Sequence, residues 1–225
     1  MTQRLQGKRI LITQADDYMG PAFAAMFCQH GAEVIEDRSD LTVPAAAAEV
    51  VAGAGHIDVL VANLAAFAHG GKSVIDIGET IWNDMFDVMV HPLHRLVRAA
   101  LPAMIERKAG KIIVVGSATG LKALPGATAY SAARSAQVGY VRSAGAEVAA
   151  HNVQINLIAQ NFVENRIYFS EKFQQTEMFR DMISAVPAAR LATAEEDALL
   201  AVFLASDESD FFVGQAIPFS GGWVQ

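Results

Sequence analysis

The run Lys111-Ile112-Ile113-Val114-Val115 constrains this chain more than any other stretch. Four consecutive β-branched residues without polar alternation leave no face for water. The run therefore reads as a strand buried on both faces, as in a parallel sheet covered by helices. Behind it come Gly116-Ser117-Ala118-Thr119, a loop holding Gly120, Pro125 and Gly126, and a long alanine-rich segment of helical character after Tyr130. Tyr130 and Arg134 are four residues apart, so their side chains share one helix face. A hydroxyl at a strand's carboxyl end, facing a phenol and a guanidinium, is a candidate acid/base site in an open α/β sheet. Tyr130 alone would pass for an incidental helix residue; Ser117, Tyr130 and Arg134 together point to chemistry.

The rest of the chain alternates in the same way. Strands are predicted at Lys8 to Thr13, Glu33 to Glu36, Ile57 to Val61, Lys111 to Val115, Val153 to Ile158 and Gln215 to Phe219. Between them, helical patterns cover Gly20 to His30, Pro44 to Ala52, Tyr130 to Ala150, Glu171 to Ala185 and Ala194 to Ala205. Glu79 to Arg107 reads as one long helix that Pro92 and Pro102 bend or interrupt. Ala159 to Ser170 is irregular. The alternation predicts a Rossmann-like doubly wound parallel sheet, in three α/β/α layers, forming one domain over residues 1–225.

A length of 225 residues suits one such domain, and 52% hydrophobic against 18% charged residues excludes a disordered chain. A formal charge of -7 without a basic block argues against nucleic acid or an anionic membrane as partner. No apolar run approaches the length of a membrane span, and the N-terminus lacks a signal core. The single cysteine, Cys28, excludes an intrachain disulfide and suits a cytoplasmic location; its apolar helical context predicts core packing. His91 and His94 are three apart on a helix, but no acidic or cysteine partner joins them, so no metal site is expected.

Together these features resemble the short-chain dehydrogenase/reductase superfamily over essentially the whole chain. The resemblance is carried by Asp58-Val59-Leu60-Val61 with Asn63, by Ser117 with Tyr130 thirteen residues later, and by Phe203-Leu204-Ala205-Ser206 and Gly221-Gly222. Against that pattern the departures are systematic. Where the superfamily has Thr-Gly-x-x-x-Gly-x-Gly, this chain reads Thr13-Gln14-Ala15-Asp16-Asp17-Tyr18-Met19-Gly20. The lost glycines are those that let backbone approach a pyrophosphate, while Asp16 and Asp17 add negative charge there. Arg134 stands where a reductase carries Lys, and Arg cannot give up a proton. Met89 replaces an Asn of the relay, Ala62-Asn63-Leu64-Ala65 is a worn Asn-Asn-Ala-Gly, and Asp37 falls one residue off the register of a ribose-binding acid and reads as a turn residue.

A Ser-Tyr-Arg set with an aromatic in the nucleotide loop is similar to the halohydrin dehalogenases, cofactor-free relatives within the superfamily. That resemblance implies a carbon–halide lyase that converts vicinal haloalcohols to epoxides, and in reverse opens epoxides with azide, cyanide or nitrite. It implies Ser117, Tyr130 and Arg134 as catalytic residues and no cofactor. Tyr18, Gln160, Asn161, Phe162 and Val163 would form the halide site, with Tyr168 and Phe169 in the substrate pocket, in a homotetramer. A tyrosine of pKa about 10 is about one part in a thousand phenolate at neutral pH. A cation within about 4–6 Å lowers an acid by about 1–3 units, so Arg134 would raise that fraction to between about one and fifty per cent. The alternative is an NAD(P)-dependent short-chain oxidoreductase with a degenerate cofactor loop. A third reading is a non-catalytic subunit that retains the fold.

Overall fold

The computed structural model describes residues 3–68 and 70–225. Six runs rich in Ile, Val and Leu form the parallel strands β1 (Arg9–Ile12), β2 (Glu33–Glu36), β3 (Val59–Ala62), β4 (Gly110–Val115), β5 (Val153–Gln160) and β6 (Ala216–Phe219). They lie in the order β2-β1-β3-β4-β5-β6. Every pairing is parallel, with registers such as Ile10 against Val59, Val61 against Ile113 and Ile113 against Asn156. β3 and the last five residues of β4 are buried throughout, as two-sided coverage requires.

Eight α-helices cover the sheet among the described residues: α1 (Gly20–Gln29), α2 (Ala46–Ala54), α3 (Glu79–Met89), α4 (His91–Arg107), α5 (Thr128–Val148), α6 (Glu171–Gln174), α7 (Glu177–Ser184) and α8 (Ala194–Ala205). One core joins α2, α4 and α5 to the sheet through Ala47, Leu96, Met104 and Val141 against Leu60, Ile112 and Leu157. The other joins α1 and α8 through Phe23, Phe27, Ala201 and Val202 against Ile10, Val61 and Ile113. The result is the three-layer α/β/α fold that the alternation implies, and no helix among the described residues is long and apolar enough to cross a membrane.

Four details differ from the sequence-based expectation. The helix from Glu79 to Arg107 is two helices, broken at Val90, because Pro92 has no N–H for a continuing bond and its ring opposes the preceding turn. Pro102, by contrast, stays inside α4. β5 runs on to Gln160, so two residues expected in a loop continue its ladder against Pro218 and Phe219. Cys28 is exposed, because the buried stripe of α1 is Phe23, Ala24, Met26 and Phe27.

β1 sits between β2 and β3, so the chain leaves the sheet in opposite directions there. A crevice opens outside the carboxyl ends of strands at such a switch point. The segments after β1, β3, β4 and β5 all emerge at that edge, and they carry the candidate residues.

Candidate active site

β4 delivers Ser117 to this edge, and a close approach fixes where the following loop lies. A Cβ on Gly120 would come within 2.8 Å of the Arg134 carbonyl oxygen, so glycine lets the Ser117 loop pack directly on α5. Ser117 Oγ lies 2.9 Å from Thr119 Oγ1 and accepts from the Thr119 backbone N–H at 3.2 Å. Thr119 was not among the residues expected here, although a hydroxyl two residues on is a common local partner.

Arg134 is 3% exposed, so its donors need protein acceptors. Its Nη1 donates to the Leu64 carbonyl at 2.9 Å, to the Val115 carbonyl at 3.0 Å and to Gln137 Oε1 at 2.9 Å. Gln137, fully buried, donates in turn to the Met89 carbonyl at 2.9 Å. The Met89 position thus stays wired to the site through its backbone. The guanidinium carbon lies 5.1 Å from the centre of the Tyr130 ring.

Burial of Tyr130 opposes its ionisation, but the adjacent Arg134 charge and hydrogen bonding with Arg134, Ser117 and Tyr168 together hold the phenol below its ordinary value. Tyr18 and Tyr168 go the other way. Burial first, then the neighbouring Tyr130 oxygen, pushes both upward. Tyr168 donates to the Ala66 carbonyl at 2.7 Å, its ring 5.7 Å from Tyr18 and stacked at 5.8 Å on Phe67. The structure therefore brings Ser117, Tyr130, Arg134, Tyr18 and Tyr168 into one cluster.

It does not bring the remaining candidates there in the expected form. Gln160 closes β5 with its Oε1 buried and unpartnered among the described residues. The Asn161 N–H is spent on the Phe219 carbonyl and the Phe162 N–H on Asn161 Oδ1. The Glu164 N–H goes to the Ala192 carbonyl. An anion nest needs several free N–H groups, and of those expected here the Asn161 and Phe162 N–H groups are committed to protein acceptors. Phe162 packs edge-on to Trp223 at 5.8 Å, Val163 sits in the α1–α8 core, and Phe169 packs on Phe179 at 6.2 Å.

At the β1–α1 turn the backbone keeps the path that glycines would give it. Gln14 and Tyr18 have φ of 45° and 51°, in the left-handed region. Gln14 Oε1 accepts from the Ala65 N–H at 2.9 Å, and Asn63 Nδ2 donates to the Gln14 and Asp17 carbonyls at 3.0 Å each. Asp16 does not stand as free negative charge, because Arg38 pairs with it at 2.6 Å and with Glu36 at 2.5 Å.

Asp37 also departs from its expected place as a turn residue. Its N–H donates to the Ile12 carbonyl at 2.8 Å and its carbonyl accepts from Ala15, so it prolongs the β2–β1 ladder beside the turn. Oδ1 accepts from Ser39 Oγ at 2.7 Å, while Oδ2 is buried without a hydrogen-bond partner among the described residues. Asp37 also lines an open cleft of about 560 Å³ with Leu11, Ile35, Val43, Ala46 and Val50. This cleft belongs to the edge strand β2, three places from β4 in the sheet order, and is not the acid/base site. An acid directly after a second strand was the available signal for Asp37.

These observations test the fit of a nicotinamide dinucleotide. An unpartnered buried carboxylate oxygen can accept from the hydroxyls of an adenosine ribose, in a cleft of mixed lining that Glu36, Asp40 and Glu49 make acidic. The start of α1 holds the pyrophosphate's place in the fold, but Gly20 is close-packed on the Ala15 carbonyl, its N–H is spent on the Asp17 carbonyl and Pro21 has no N–H to offer. Toward Tyr130, the Tyr18 ring narrows the space that a glycine would leave open.

A family model described as enoyl-(acyl carrier protein) reductase matches residues 4–224. The dehydrogenase/reductase SDR family member 6 of Danio rerio is 32% identical, over 98% of this chain and 98% of that protein. The 3-oxoacyl-[acyl-carrier-protein] reductase FabG of Vibrio harveyi is 30% identical over 97% and 98%. A solved structure described as a dehalogenation enzyme superposes with a TM-score of 0.91 at 28% identity, covering 98% of this chain and all of that one.

The relatives correct the expected reaction. The sequence relatives aligned over at least 96% of this chain are named as reductases, dehydrogenases and oxidoreductases, at 27–32% identity, whereas the dehalogenation name comes from the structural neighbour above. A cofactor-independent halohydrin dehalogenase and carbon–halide lyase, with haloalcohol, epoxide and halide as its ligands, does not stand as the activity. The physical reason lies in the Ser-Tyr-cation set itself. It activates an oxygen on carbon, and a cation beside the phenol does not select which neighbouring bond breaks.

Proposed function

The chain belongs to the short-chain dehydrogenase/reductase superfamily, in the family described as enoyl-(acyl carrier protein) reductase, and from that premise we propose that it is an NAD(P)-dependent oxidoreductase. Its substrate would be a ketone and secondary alcohol pair, with residues 1–225 acting as one Rossmann-like domain. Its setting would be the cytoplasm, where a lone thiol stays reduced. The observation that supports an oxidoreductase is the likeness, over nearly the whole chain, to proteins named as reductases and dehydrogenases; the buried Tyr130 phenol, held below its ordinary range by Arg134 beside Ser117, supplies the acid/base group.

In this reading Ser117 hydrogen-bonds the substrate oxygen and Thr119 orients that hydroxyl. Tyr130 gives its proton to the carbonyl oxygen during reduction and, as phenolate, takes the hydroxyl proton during oxidation. Arg134 contributes a fixed positive charge, pinned by the Leu64 and Val115 carbonyls. When bound, the nicotinamide supplies or accepts the hydride. Asp37 would hold a ribose hydroxyl through Oδ2, and the start of α1 would face the pyrophosphate. Tyr168 and Phe169 remain candidates for the substrate wall. Within the superfamily, the Ser-Tyr-Arg set and the 28% identity to the dehalogenation enzyme support a kinship of descent with the haloalcohol branch, proposed as ancestry and not as reaction.

The test is oxidation of NADH or NADPH with a panel of small ketones and 3-oxoacyl thioesters. Turnover that vanishes in Tyr130→Phe is expected. No turnover with any of them, in a folded protein, would overturn the reading.

A further inference from the structure

Arg134 is a buried cation that no acid answers. The acceptors at its Nη1 are the Leu64 and Val115 carbonyls and Gln137 Oε1, all of them neutral. None of the ion pairs formed among the described residues includes it. A cation taken out of water is ordinarily matched by an acid, because an uncancelled charge in a low-dielectric interior is costly. Here the charge is left to act on what lies beside it, and the Tyr130 ring centre is 5.1 Å from the guanidinium carbon. Gln137 is the side chain among the three acceptors. It follows Arg134 by three residues on α5, so the two share one helix face.

We propose that Gln137 is a positioning residue for the acid/base pair, holding the Arg134 guanidinium beside Tyr130 by a hydrogen bond that leaves its positive charge uncancelled. A primary amide has an acceptor end and a donor end, and both are committed here. Nε2 donates to the Met89 carbonyl at the end of α3 and Oε1 accepts from Arg134, each at 2.9 Å. A flipped amide would set its NH2 against the guanidinium and its oxygen against the Met89 carbonyl, so one orientation alone satisfies both neighbours. Gln137 is fully buried, and neither end faces bulk water. The Met89 carbonyl thereby fixes the direction of the amide, and the amide fixes the guanidinium that faces the phenol. Met89 reaches the same place a second way, because its side chain packs in the cluster that holds Ala133 and Tyr130. A glutamate at this position would match the cation and cancel its field at Tyr130; the neutral amide gives the geometry without the neutralisation. The groups around the phenol are Arg134 on its own helix, Ser117 after β4, Tyr18 in the β1–α1 turn, Tyr168 after β5, and Met85 and Met89 from α3. Arg134 is the one permanent charge among them.

The proposal rests on Tyr130 being the acid/base group, but its test needs neither substrate nor cofactor, so failure of the NAD(P)H assay leaves it standing or falling separately. The chain has four tyrosines, and Tyr18, Tyr140 and Tyr168 are all pushed upward while Tyr130 is lowered. A spectrophotometric titration of tyrosinate should therefore show one phenol ionising ahead of three, and Tyr130→Phe should delete that first step. Gln137→Met keeps the length of the side chain and removes both polar ends. With the guanidinium released from one of its anchors, the first step should move up by about 0.5–1 pH unit. Gln137→Glu keeps an acceptor but cancels the charge, and should move the step further, by about 1–2 pH units. A residue that only fills the core would lower the melting temperature of Gln137→Met and leave the first step where it was. That result in the folded variant would overturn the proposal, and so would an unmoved step in folded Gln137→Glu. Should neither variant fold, NMR of the Gln137 side-chain amide in the wild-type protein decides the matter. Its resonances must shift at the pH of the first step; unresponsive ones contradict the proposal.

Discussion

The wall formed by β4 and α5 and the turn between β1 and α1 face the same crevice and are built on opposite principles. At the wall, Arg134 is buried and its Nη1 is met by the Leu64 and Val115 carbonyls and by Gln137, itself held by the Met89 carbonyl, while its Nε has no hydrogen-bond partner among the described residues. At the turn, Asp16 and Arg38 are exposed and pair with each other. The backbone there stays left-handed at Gln14 and Tyr18 without glycine. Such a conformation costs about 1–2 kcal/mol per residue. The bonds from Ala65 to Gln14 and from Asn63 to two turn carbonyls offset part of that strain. A buried charge ties its surroundings to one arrangement, whereas a turn can exchange its residues and keep its path. The wall should therefore be intolerant of change and the turn adjustable.

The largest expected effect is at the wall. Tyr130→Phe should lower the rate of ketone reduction about 10²–10⁴-fold, as loss of a general acid/base does, with the melting temperature little changed. Alcohol oxidation by the wild type should rise with pH through the Tyr130 ionisation, below the ordinary tyrosine range, because the base is the phenolate. A folded Tyr130→Phe protein with near-normal rates would break the comparison.

Two carboxylates with unpartnered oxygens sharpen it further. Asp197 on α8 is fully buried with both oxygens unpartnered among the described residues, and burial pushes it up to about 8. Its folded value lies above its unfolded one, so the folded state holds the extra proton between them. Stability should therefore fall as pH rises from about 4 to 8. Asp197→Val should stabilise the protein by a few kcal/mol near pH 8 and flatten that slope, measured by denaturant unfolding across pH. Asp37, at the rim of a cleft, should instead answer to a ligand. Asp37→Ala should weaken binding of the preferred nicotinamide cofactor about ten- to a hundredfold, read by equilibrium titration.

The smallest expected effect is at the turn. If the Tyr18 ring swings aside for a nicotinamide, the wild type binds with a population cost that Tyr18→Gly removes. Cofactor binding should tighten by about three- to tenfold in that variant. Weaker binding instead would make Tyr18 a contact and not an obstacle.

The alternation of buried strands and helices was legible in the sequence, because two-sided burial leaves runs such as Ile112 to Val115 and Leu60 to Val61 with no polar face. The Ser117, Tyr130 and Arg134 wall was legible too, since i, i+4 spacing and a strand end fix it locally. What escaped depends on contacts between distant segments. Gln137 looks like a surface residue until Arg134 and the Met89 carbonyl are beside it. Asp37 differs from a turn residue only by a ladder bond to Ile12. The loop after β5 misleads because N–H groups that look free in sequence are taken by Phe219, Ala192 and the Asn161 side chain. The reaction was not legible in one cation, because the charge of Arg134 serves either chemistry at the Tyr130 oxygen.

The central claim is that this crevice takes a nicotinamide dinucleotide, and equilibrium titration of the wild-type protein with NADH and with NADPH tests it most directly. Saturable binding of at least one, weakened by Asp37→Ala and unaffected by Tyr140→Phe, is the predicted result. A folded wild-type protein that binds neither would contradict it.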